Sequence, residues 1–311
     1  MSVSVAIIED QFKAHEKFLW GVSYRLTGNA ADADDIVQET FIRAIKTPPA
    51  RTDEPWRPWL ARVAVNIGRD VLRQRKRRGY SGQWLPSPIE TEEAIPSYEP
   101  EQNPATRYDL LESISLAFLI ALEALTPTQR AVLLLRDVFD YSVRETAEAL
   151  GMSEPNVKTT HHRARHAMQE YDHSRLPLTK SLQEKTRQMM EQFLSCLIQQ
   201  DVVGAAALLT EDARQISDGG GEFIAARLPI IGRDKIILFN RNLQKNITPN
   251  LRYEWRLLNG IPSLITEMPD AEKGYAKRWV LMCSLNQDGQ IERIYNVLAT
   301  RKLTAIQPLQ N

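Results

Sequence analysis

The sequence has no long apolar run and very little cysteine. No stretch of about 18 consecutive apolar residues occurs, and the N-terminus lacks a basic start followed by an apolar segment. We therefore expect a cytoplasmic protein with neither a membrane span nor a secretory signal. The only cysteines, Cys196 and Cys283, have no Cys or His neighbour at metal-ligand spacing. This pattern favours two reduced thiols over a disulfide and predicts no metal site.

Motifs of common catalytic sites are also missing. The sequence shows no ATP-binding loop, metal-ligand set or nucleophile triad. The last of its five histidines is His173, so the C-terminal third has no imidazole for acid–base chemistry. Most acids of that third fall in predicted turns, which leaves Asp218, Arg227 and Tyr253 as candidate catalytic residues. We expect no cofactor and no enzymatic activity.

An excess of one charge sign is absent overall but present locally. The 39 basic and 39 acidic residues cancel. Residues 62–78, however, contain seven basic residues against one acid, and residues 81–110 contain six acids against one arginine. A basic block favours contact with nucleic acid, so the neutral total does not exclude DNA as a partner.

Residues 1–78 show helical periodicity, and the segment after them does not. Apolar residues at three- and four-residue spacing predict helices ending near Gly28, over 30–46 and over 56–75. One face of the second helix carries acids at i, i+3 and i+7, namely Asp32, Asp35 and Glu39. The Pro-rich residues 79–108 predict an interdomain linker, because loops of about 30 residues are unusual inside one domain.

A helix-turn-helix is predicted within residues 109–173. Thr126-Pro127 predicts a helix start, with a cap residue followed by proline at the first helical position. Ala147, Leu150 and Val157 occupy the positions that lock two helices, with Gly151 as the left-handed turn residue and Ser153 as the cap of the second helix. The exposed face of that second helix would read base edges and contact phosphates, through Glu154, Asn156, Lys158, Thr159, His162 and Arg163. The alternative is a plain helical hairpin with a solvated polar face.

The pattern becomes mixed after residue 176. Helices are predicted over 181–200, 202–209 and 233–244. Alternating apolar and polar runs predict strands at 212–217, 223–228, 251–259, 263–268, 276–286 and 290–298. Helices followed by a strand meander predict an α+β domain with a curved sheet wrapped around a helix.

Segments of the N-terminal half resemble extracytoplasmic-function (ECF) sigma factors of the sigma-70 family. The matches to region 2 are Tyr24-Arg25-Leu26-Thr27-Gly28, the run from Asp32 to Ala44, and the run from Trp59 to Arg73. Residues 125–170 resemble region 4 of the same family. The resemblance implies two all-α DNA-binding domains, a helical bundle at 1–78 and a helix-turn-helix at 109–173. It also implies a protein that directs transcription initiation, with promoter DNA and core RNA polymerase, through its β′ clamp and β flap, as partners.

The resemblance also implies roles for particular residues. The acidic second helix would dock on the polymerase β′ clamp helices through Asp35, Gln38, Glu39 and Phe41, where charge complementarity speeds docking. The third helix would read the promoter −10 element, with Asn66 beside a flipped-out base. Phosphates would be contacted by Arg69, Arg73, Arg75, Lys76 and Arg77. Trp59 is expected in the core, and Trp56 is either a core residue or a stacking platform.

Residues 180–303 resemble SnoaL-like domains, a cone-shaped α+β fold. The resemblance rests on Leu209-Thr-Glu-Asp-Ala, Asp218-Gly-Gly-Gly, Pro229-Ile-Ile-Gly-Arg-Asp and the final strands. Sigma factors with this extension carry a Trp-Leu-Pro-x-Pro linker motif, which reads here as Trp84-Leu85-Pro86-Ser87-Pro88. Their tail motif Val-Leu-Asn-Pro-Asp-Lys-Leu corresponds to 297–303, where Ala299, Thr300 and Arg301 depart from the pattern.

The linker and the glycine turn are predicted to meet. Three consecutive glycines permit close approach of another chain segment. We therefore expect Trp84, Leu85 and Pro86 to pack against Asp218, Gly219, Gly220 and Gly221. Such a contact would join the third domain to both DNA-binding domains and modulate the sigma factor without a separate anti-sigma protein. A simple hairpin turn is the alternative.

Two other functions compete with a sigma factor. A ligand-responsive repressor would bind duplex DNA without polymerase and with steep salt dependence. A SnoaL-type enzyme would need a buried acid/base pair. A small-molecule ligand in the C-terminal domain is a further candidate partner, and we expect a monomer.

Overall fold

The structure is a computed structural model that describes residues 5–49, 55–91 and 107–309. The chain forms two compact units. The first comprises Met1–Gly79 and Glu92–Arg175, and the second comprises Tyr80–Thr91 and Leu176–Asn311. Residues 80–91 of the predicted linker therefore belong to the C-terminal unit.

Helices α1, α2 and α3 build the N-terminal part of the first unit. They span Val5–Thr27, Ala30–Lys46 and Trp56–Arg78. Gly28 ends α1 with a φ of 66°, in the left-handed region that favours glycine. Asn29 caps α2 by accepting the amide of Asp32 at 3.2 Å. Their apolar faces pack around a core that includes Leu19, Ile36, Phe41, Trp56 and Leu60.

The second part of the first unit is also helical. Its helices are α4 Leu116–Ala121, α5 Pro127–Asp137, α6 Val143–Leu150, α7 Glu154–Ala167 and α8 Gln169–Ser174. Short 3₁₀ turns at Glu112–Ile114 and Leu122–Ala124 flank α4. Thr126 and Gln129 form a capping box at the start of α5, as do Ser142 and Glu145 at the start of α6.

The C-terminal unit packs helices against a mixed sheet. Its helices are α9 Lys180–Ile198, α10 Val202–Leu208 and α11 Arg233–Gln244. Its strands are β1 Leu209–Asp218, β2 Ile230–Ile231, β3 Arg252–Leu258, β4 Ile261–Glu267, β5 Arg278–Leu285 and β6 Ile291–Val297. A 3₁₀ turn follows at Thr300–Lys302. The predicted α+β class is confirmed.

The sheet has the order β2-β1-β6-β5-β4-β3. Strands β1 and β6 are parallel, and the other neighbours are antiparallel. Its inner face packs on α9 and α11 around Met190, Phe193, Ile236, Cys283 and Ile294. The order brings the end of β1 beside the end of β6, where the chain leaves the sheet toward its C-terminal tail.

One predicted strand, at 223–228, is wrong. This segment forms bends and irregular loop rather than a strand. Its apolar side chains Ile224 and Leu228 are 61% and 75% exposed, so alternation in the sequence did not correspond to a buried face. The short strand β2 pairs with β1 instead, at Arg214↔Ile231 and Gln215↔Ile230.

Membrane spans and metal clusters were also sought among the described residues. In those ranges, no helix combines the length and apolarity that crossing a membrane requires. The same part of the chain contains no grouping of three or more His, Cys, Asp or Glu side chains that could hold a metal ion.

Candidate nucleic-acid interface and linker anchor

Helix α2 presents a polar face opposite its buried one. Asp35 and Gln38 are exposed, and Glu39 is half-exposed and pairs with Arg43 at 3.0 Å. Phe41 differs from the prediction, because it is 5% exposed and its ring packs edge-on against Phe12. Phe41 is thus a core residue of the bundle, and the acidic face alone is available to a partner.

Helix α3 carries the predicted −10 residues along its length. Asn66 is half-buried, and its Oδ1 accepts a hydrogen bond from Arg69 at 3.2 Å. Burial lowers the pKa of Arg69, and the neighbouring Arg73 lowers it further. Lys76 and Arg77 are exposed, as is Arg73, which pairs with Asp70 at 2.8 Å. An open groove at this surface is lined by Asp70, Arg73, Gln74, Lys76, Arg77 and Pro127.

Trp56 and Trp59 both pack on the core of the bundle, and Trp59 is less buried than predicted. Trp56 is 3% exposed and belongs to the core of the bundle. Trp59 is only half-buried and packs at the margin of the same core.

The helix-turn-helix forms as predicted. Ala147, Leu150 and Val157 are buried between α6 and α7. Gly151 ends α6 with φ 63° and ψ 39°, the left-handed conformation that the turn requires. Ser153 occupies the N-cap position of α7, but its side chain makes no capping hydrogen bond, which corrects the predicted cap.

The predicted reading face of α7 is open to solvent. All the predicted −35 residues are exposed, namely Glu154, Asn156, Lys158, Thr159, His162 and Arg163. Glu154 lies in the first turn of α7, and Arg165 and His166 lie in its last turn.

An acid that the sequence reading missed holds α7 in place. Asp137, at the end of α5, is 2% exposed. It accepts hydrogen bonds from Arg165 at 2.6 and 3.0 Å and lies 2.8 Å from Nε2 of His161. Burial alone would raise the pKa of Asp137, but the hydrogen bonds from His161 and Arg165 bring it below its ordinary 3.8. His161 and Arg165 face α5, which leaves the opposite side of α7 exposed to solvent.

The predicted linker and the glycine turn meet at a buried carboxylate. Asp218 is 0% exposed and accepts hydrogen bonds from the Tyr80 hydroxyl at 2.6 Å and from the Leu85 amide at 2.7 Å. Lys302 forms an ion pair with Asp218 and donates to the carbonyl oxygen of Leu85. We name Tyr80, Leu85, Asp218 and Lys302 the linker anchor.

Aromatic and apolar contacts surround the linker anchor. The Lys302 ammonium lies 4.3 Å from the ring centroid of Trp84 and 4.8 Å from that of Tyr80. Leu85 is 2% exposed, and Pro86 is buried beside it. Lys302 lies in the tail at residues 301–303, which correspond to Asp-Lys-Leu in the family motif. Of the two polar positions in that segment, Lys302 keeps the family residue. That retained lysine was the sequence signal for this contact.

A second set of contacts holds the end of the linker on the β3–β4 hairpin. The backbone amide of Ile89 donates to Oδ1 of Asn259 at 3.0 Å. The backbone amide of Asn259 donates to the carbonyl oxygen of Ile89 at the same distance. Thr91 donates to the Leu257 carbonyl at 2.8 Å. Arg256 pairs with Glu90 at 3.0 Å. Residues 80–91 are therefore fixed to the C-terminal unit at both ends.

The glycines of the turn allow this close packing. Gly220 and Gly221 have φ of 59° and 78°. A Cβ on Gly220 would lie 2.8 Å from Cβ of Ala299, and one on Gly221 would lie 3.0 Å from Cβ of Ser81. Gly219 has no positive φ, but a Cβ there would lie 3.0 Å from the carbonyl oxygen of Phe223.

Replacing Gly220 with alanine is expected to destabilise the C-terminal unit by about 1–3 kcal/mol, from backbone strain plus the clash with Ala299. Gly82→Ala is the matched control, because Gly82 has a φ of 86° but nothing within 4 Å of an added Cβ. Thermal unfolding of both variants measures the difference. Equal losses would show that the contact with Ala299 contributes nothing.

Two of the candidate catalytic residues of the C-terminal unit, Asp218 and Tyr253, do not converge. Asp218 is occupied by the linker anchor at the end of β1. Tyr253 is 64% exposed on β3, and strands β6, β5 and β4 separate β3 from β1. The arrangement offers no acid/base pair from these residues.

Comparisons with known proteins agree with this architecture. The family described as "Sigma-70 region 2" matches residues 11–78, and "Sigma-70, region 4" matches residues 115–168. These ranges contain α3 and the α6–α7 helix-turn-helix. The first unit therefore has the fold of a sigma-70-type transcription initiation factor.

Two relatives and a solved structure specify the group of sigma factors more closely. The chain is 28% identical over 299 residues to the ECF RNA polymerase sigma factor SigJ of Mycobacterium tuberculosis, covering 94% of this chain and 92% of the relative. It is 32% identical over 170 residues to the ECF sigma factor SigL of the same species, covering 54% of this chain and 89% of that one. The crystal structure of SigJ superposes with a TM-score of 0.69 at 26% identity, over 97% of this chain and 99% of that one. The chain belongs to the ECF RNA polymerase sigma factors.

Proposed function

We propose that this sigma factor uses three separate surfaces of its first unit. The acidic face of α2 binds core RNA polymerase at the β′ clamp, α3 reads the −10 element, and α7 reads the −35 element. The observation that carries the proposal is the exposure of all six predicted reading residues on a helix whose other side is fixed by Asp137. The predicted domains 1–78, 109–173 and 180–303, joined through 79–108, provide the frame for these roles.

Charge reversal on α2 tests the polymerase contact. Asp35→Lys with Glu39→Lys is expected to weaken association with core polymerase by about 10- to 100-fold, because opposed charges steer docking and repelled ones oppose it. Co-elution of the purified chain with core polymerase on gel filtration measures the loss. The double variant should still fold, since Asp35 is exposed and the Glu39–Arg43 pair is half-exposed.

A matched control separates a specific surface from net charge. Asp10→Lys with Glu16→Lys changes the same charge on exposed positions of α1. This control should keep full association with core polymerase. Equal loss in both double variants would contradict a docking role for α2.

We further propose that the C-terminal domain regulates the sigma factor by holding the linker. Residues 80–91 lie directly after α3, and the chain re-enters the first unit after Thr91. Fixing the linker at Asp218 and again at Asn259 limits the separations that the two predicted DNA-binding domains can adopt. Because the contact is intramolecular, it acts at high effective concentration without a separate partner.

The buried charges of the linker anchor favour a single alignment of residues 80–91 on the C-terminal unit. A buried ion pair adds little stability compared with apolar residues, yet only one alignment satisfies both of its charges. Sliding the linker by one residue would leave Asp218 and Lys302 buried without their backbone partners at Leu85. A small-molecule ligand of the C-terminal domain and the monomeric state both remain predictions.

A further inference from the structure

A carboxylate of the predicted region 4 lies on the predicted −10 helix. Glu123, in the turn before α5, accepts hydrogen bonds through Oε1 and Oε2 from Arg75 of α3, both at 2.9 Å. Its Oε1 also accepts from Arg130 at 2.7 Å. We name Arg75, Glu123 and Arg130 the Glu123 clamp. Two guanidinium groups converge on one carboxylate, an arrangement that also recognises phosphate.

Further hydrogen bonds join α3 and α1 to the same part of the chain. Arg69 donates to the hydroxyl of Thr128 at 3.2 Å. Arg130, which is 2% exposed, donates to the carbonyl oxygen of Leu26 at 3.0 Å. Of the residues predicted to contact −10 phosphates, Arg69 and Arg75 are thus engaged within the chain, whereas Lys76 and Arg77 remain exposed.

The contact of α1 and α3 with residues 110–130 consists of polar groups, and burying these groups costs desolvation free energy. Arg25 of α1 is 1% exposed and donates to the Ser113 hydroxyl at 2.7 Å and to the Leu110 carbonyl at 3.1 Å. Burial lowers the pKa of Arg25 to about 10, and burial also lowers that of Arg130. If these hydrogen bonds broke, the guanidinium groups of Arg25 and Arg130 would return to water. Their hydration would offset part of the free energy of the lost interactions. Interfaces of this composition resemble transient rather than permanent ones.

We propose that the Glu123 clamp is an autoinhibitory contact in which Glu123 occupies the position of a promoter phosphate on α3. The inference rests on the proposed role of α3 as the DNA reader. Promoter DNA must displace Glu123 from Arg75, and Thr128 from Arg69, before these residues can contact its backbone. DNA binding therefore competes with the Glu123 clamp, and it requires the first unit to open.

The experiment measures opening and DNA binding separately. Cysteines replacing Ile42 of α2 and Glu148 of α6, in a Cys196→Ser chain, carry spin labels for distance measurement by electron resonance. Both positions are exposed, and Cys283 is buried. A labelled oligothymidylate reports phosphate contacts by fluorescence anisotropy. The full-length chain is used throughout.

Glu123→Gln is expected to broaden and lengthen the label distance and to tighten oligothymidylate binding by about three- to tenfold at low salt. The gain should shrink at high salt, as Arg75–phosphate contacts are screened. Oligothymidylate at saturation should lengthen the distance in the parent chain. Thr128→Ala, which removes no charge, should shift both readouts in the same direction by a smaller amount.

Glu112→Gln is the matched control. Glu112 also accepts hydrogen bonds from an arginine, Arg175, and from Tyr171, but Tyr171 lies in the predicted region 4 and Arg175 directly follows it, so neither partner is on α3. This variant should leave the label distance unchanged. An unchanged distance in both Glu123→Gln and Thr128→Ala, or equal opening by Glu112→Gln, would overturn the clamp.

The DNA-binding measurement distinguishes a failure of the Glu123 clamp from a failure of the proposed function of α3. If Glu123→Gln opens the unit without tightening DNA binding, the clamp does not block DNA and the proposal fails. Arg77→Ala then decides the wider question. Loss of oligothymidylate binding in Arg77→Ala would uphold α3 as the DNA reader, and unchanged binding would remove that assignment as well.

Discussion

Asp218→Ala is expected to destabilise the C-terminal unit by about 3–5 kcal/mol, because it leaves the Lys302 ammonium buried without its counter-charge. Lys302 is 3% exposed at its side chain, so water cannot replace the carboxylate. The Tyr80 hydroxyl and the Leu85 amide lose their acceptor at the same time. Calorimetry of the full chain measures the loss, and hydrogen exchange should show residues 80–91 exposed to solvent.

A double-mutant cycle identifies the ion pair as the cause. Asp218→Asn and Lys302→Met should each destabilise, whereas the double variant should lose less than the sum by about 0.5–3 kcal/mol. Asp212→Asn is the control, since Asp212 lies on the same strand but is exposed. Additive losses, or a loss in Asp212→Asn as large as that in Asp218→Asn, would contradict the linker anchor.

Asp137→Ala is expected to cost the first unit about 2–4 kcal/mol and to weaken binding of −35 duplex DNA. The carboxylate is the shared acceptor for His161 and Arg165, and its loss frees α7 to shift against α5. The cost stays below that of a fully buried pair, because Arg165 is 44% exposed at its side chain and water can solvate it. Urea unfolding measures the stability, with Glu148→Ala as the surface control expected to lose less than about 0.5 kcal/mol.

The stability supplied by Asp137 depends on pH in a defined direction. Its pKa in the folded chain lies below the ordinary 3.8, so the ionised form is favoured by folding. The contribution is therefore fully present above pH 3.8 and is lost as pH falls through the folded-state pKa. The stability difference between the parent and Asp137→Ala should therefore shrink as pH falls below 3.8. A difference that grows in that acidic range would contradict this linkage.

The local order of the helical half was predictable from the sequence. Proline, glycine and capping residues mark helix ends by local chemistry, so Gly28, Thr126-Pro127 and Gly151 were found at their observed positions. Side-chain exposure was harder to predict. Phe41 continues the apolar stripe of α2, and only the packing of Phe12 against it shows that the ring is enclosed.

Long-range polar pairing could not be predicted from spacing. Glu123 and Arg75 are 48 residues apart, and Asp218 and Lys302 are 84 apart. Nothing in the local pattern of either residue names its partner, since a charged side chain is usually solvated. The family resemblance indicated the Leu85–Asp218 region but not Tyr80, which follows the basic block without any motif of its own. The strand at 223–228 failed for the opposite reason, because alternation was present without a neighbouring strand to pair with.

The most direct test of the central claim is start-site selection by core RNA polymerase. The purified chain is combined with core enzyme on genomic DNA fragments, and transcript 5′ ends are mapped. The account predicts discrete start sites that share upstream −10 and −35 elements and disappear with the Asp35→Lys, Glu39→Lys double variant. Start sites as scattered as those of core enzyme alone would contradict it.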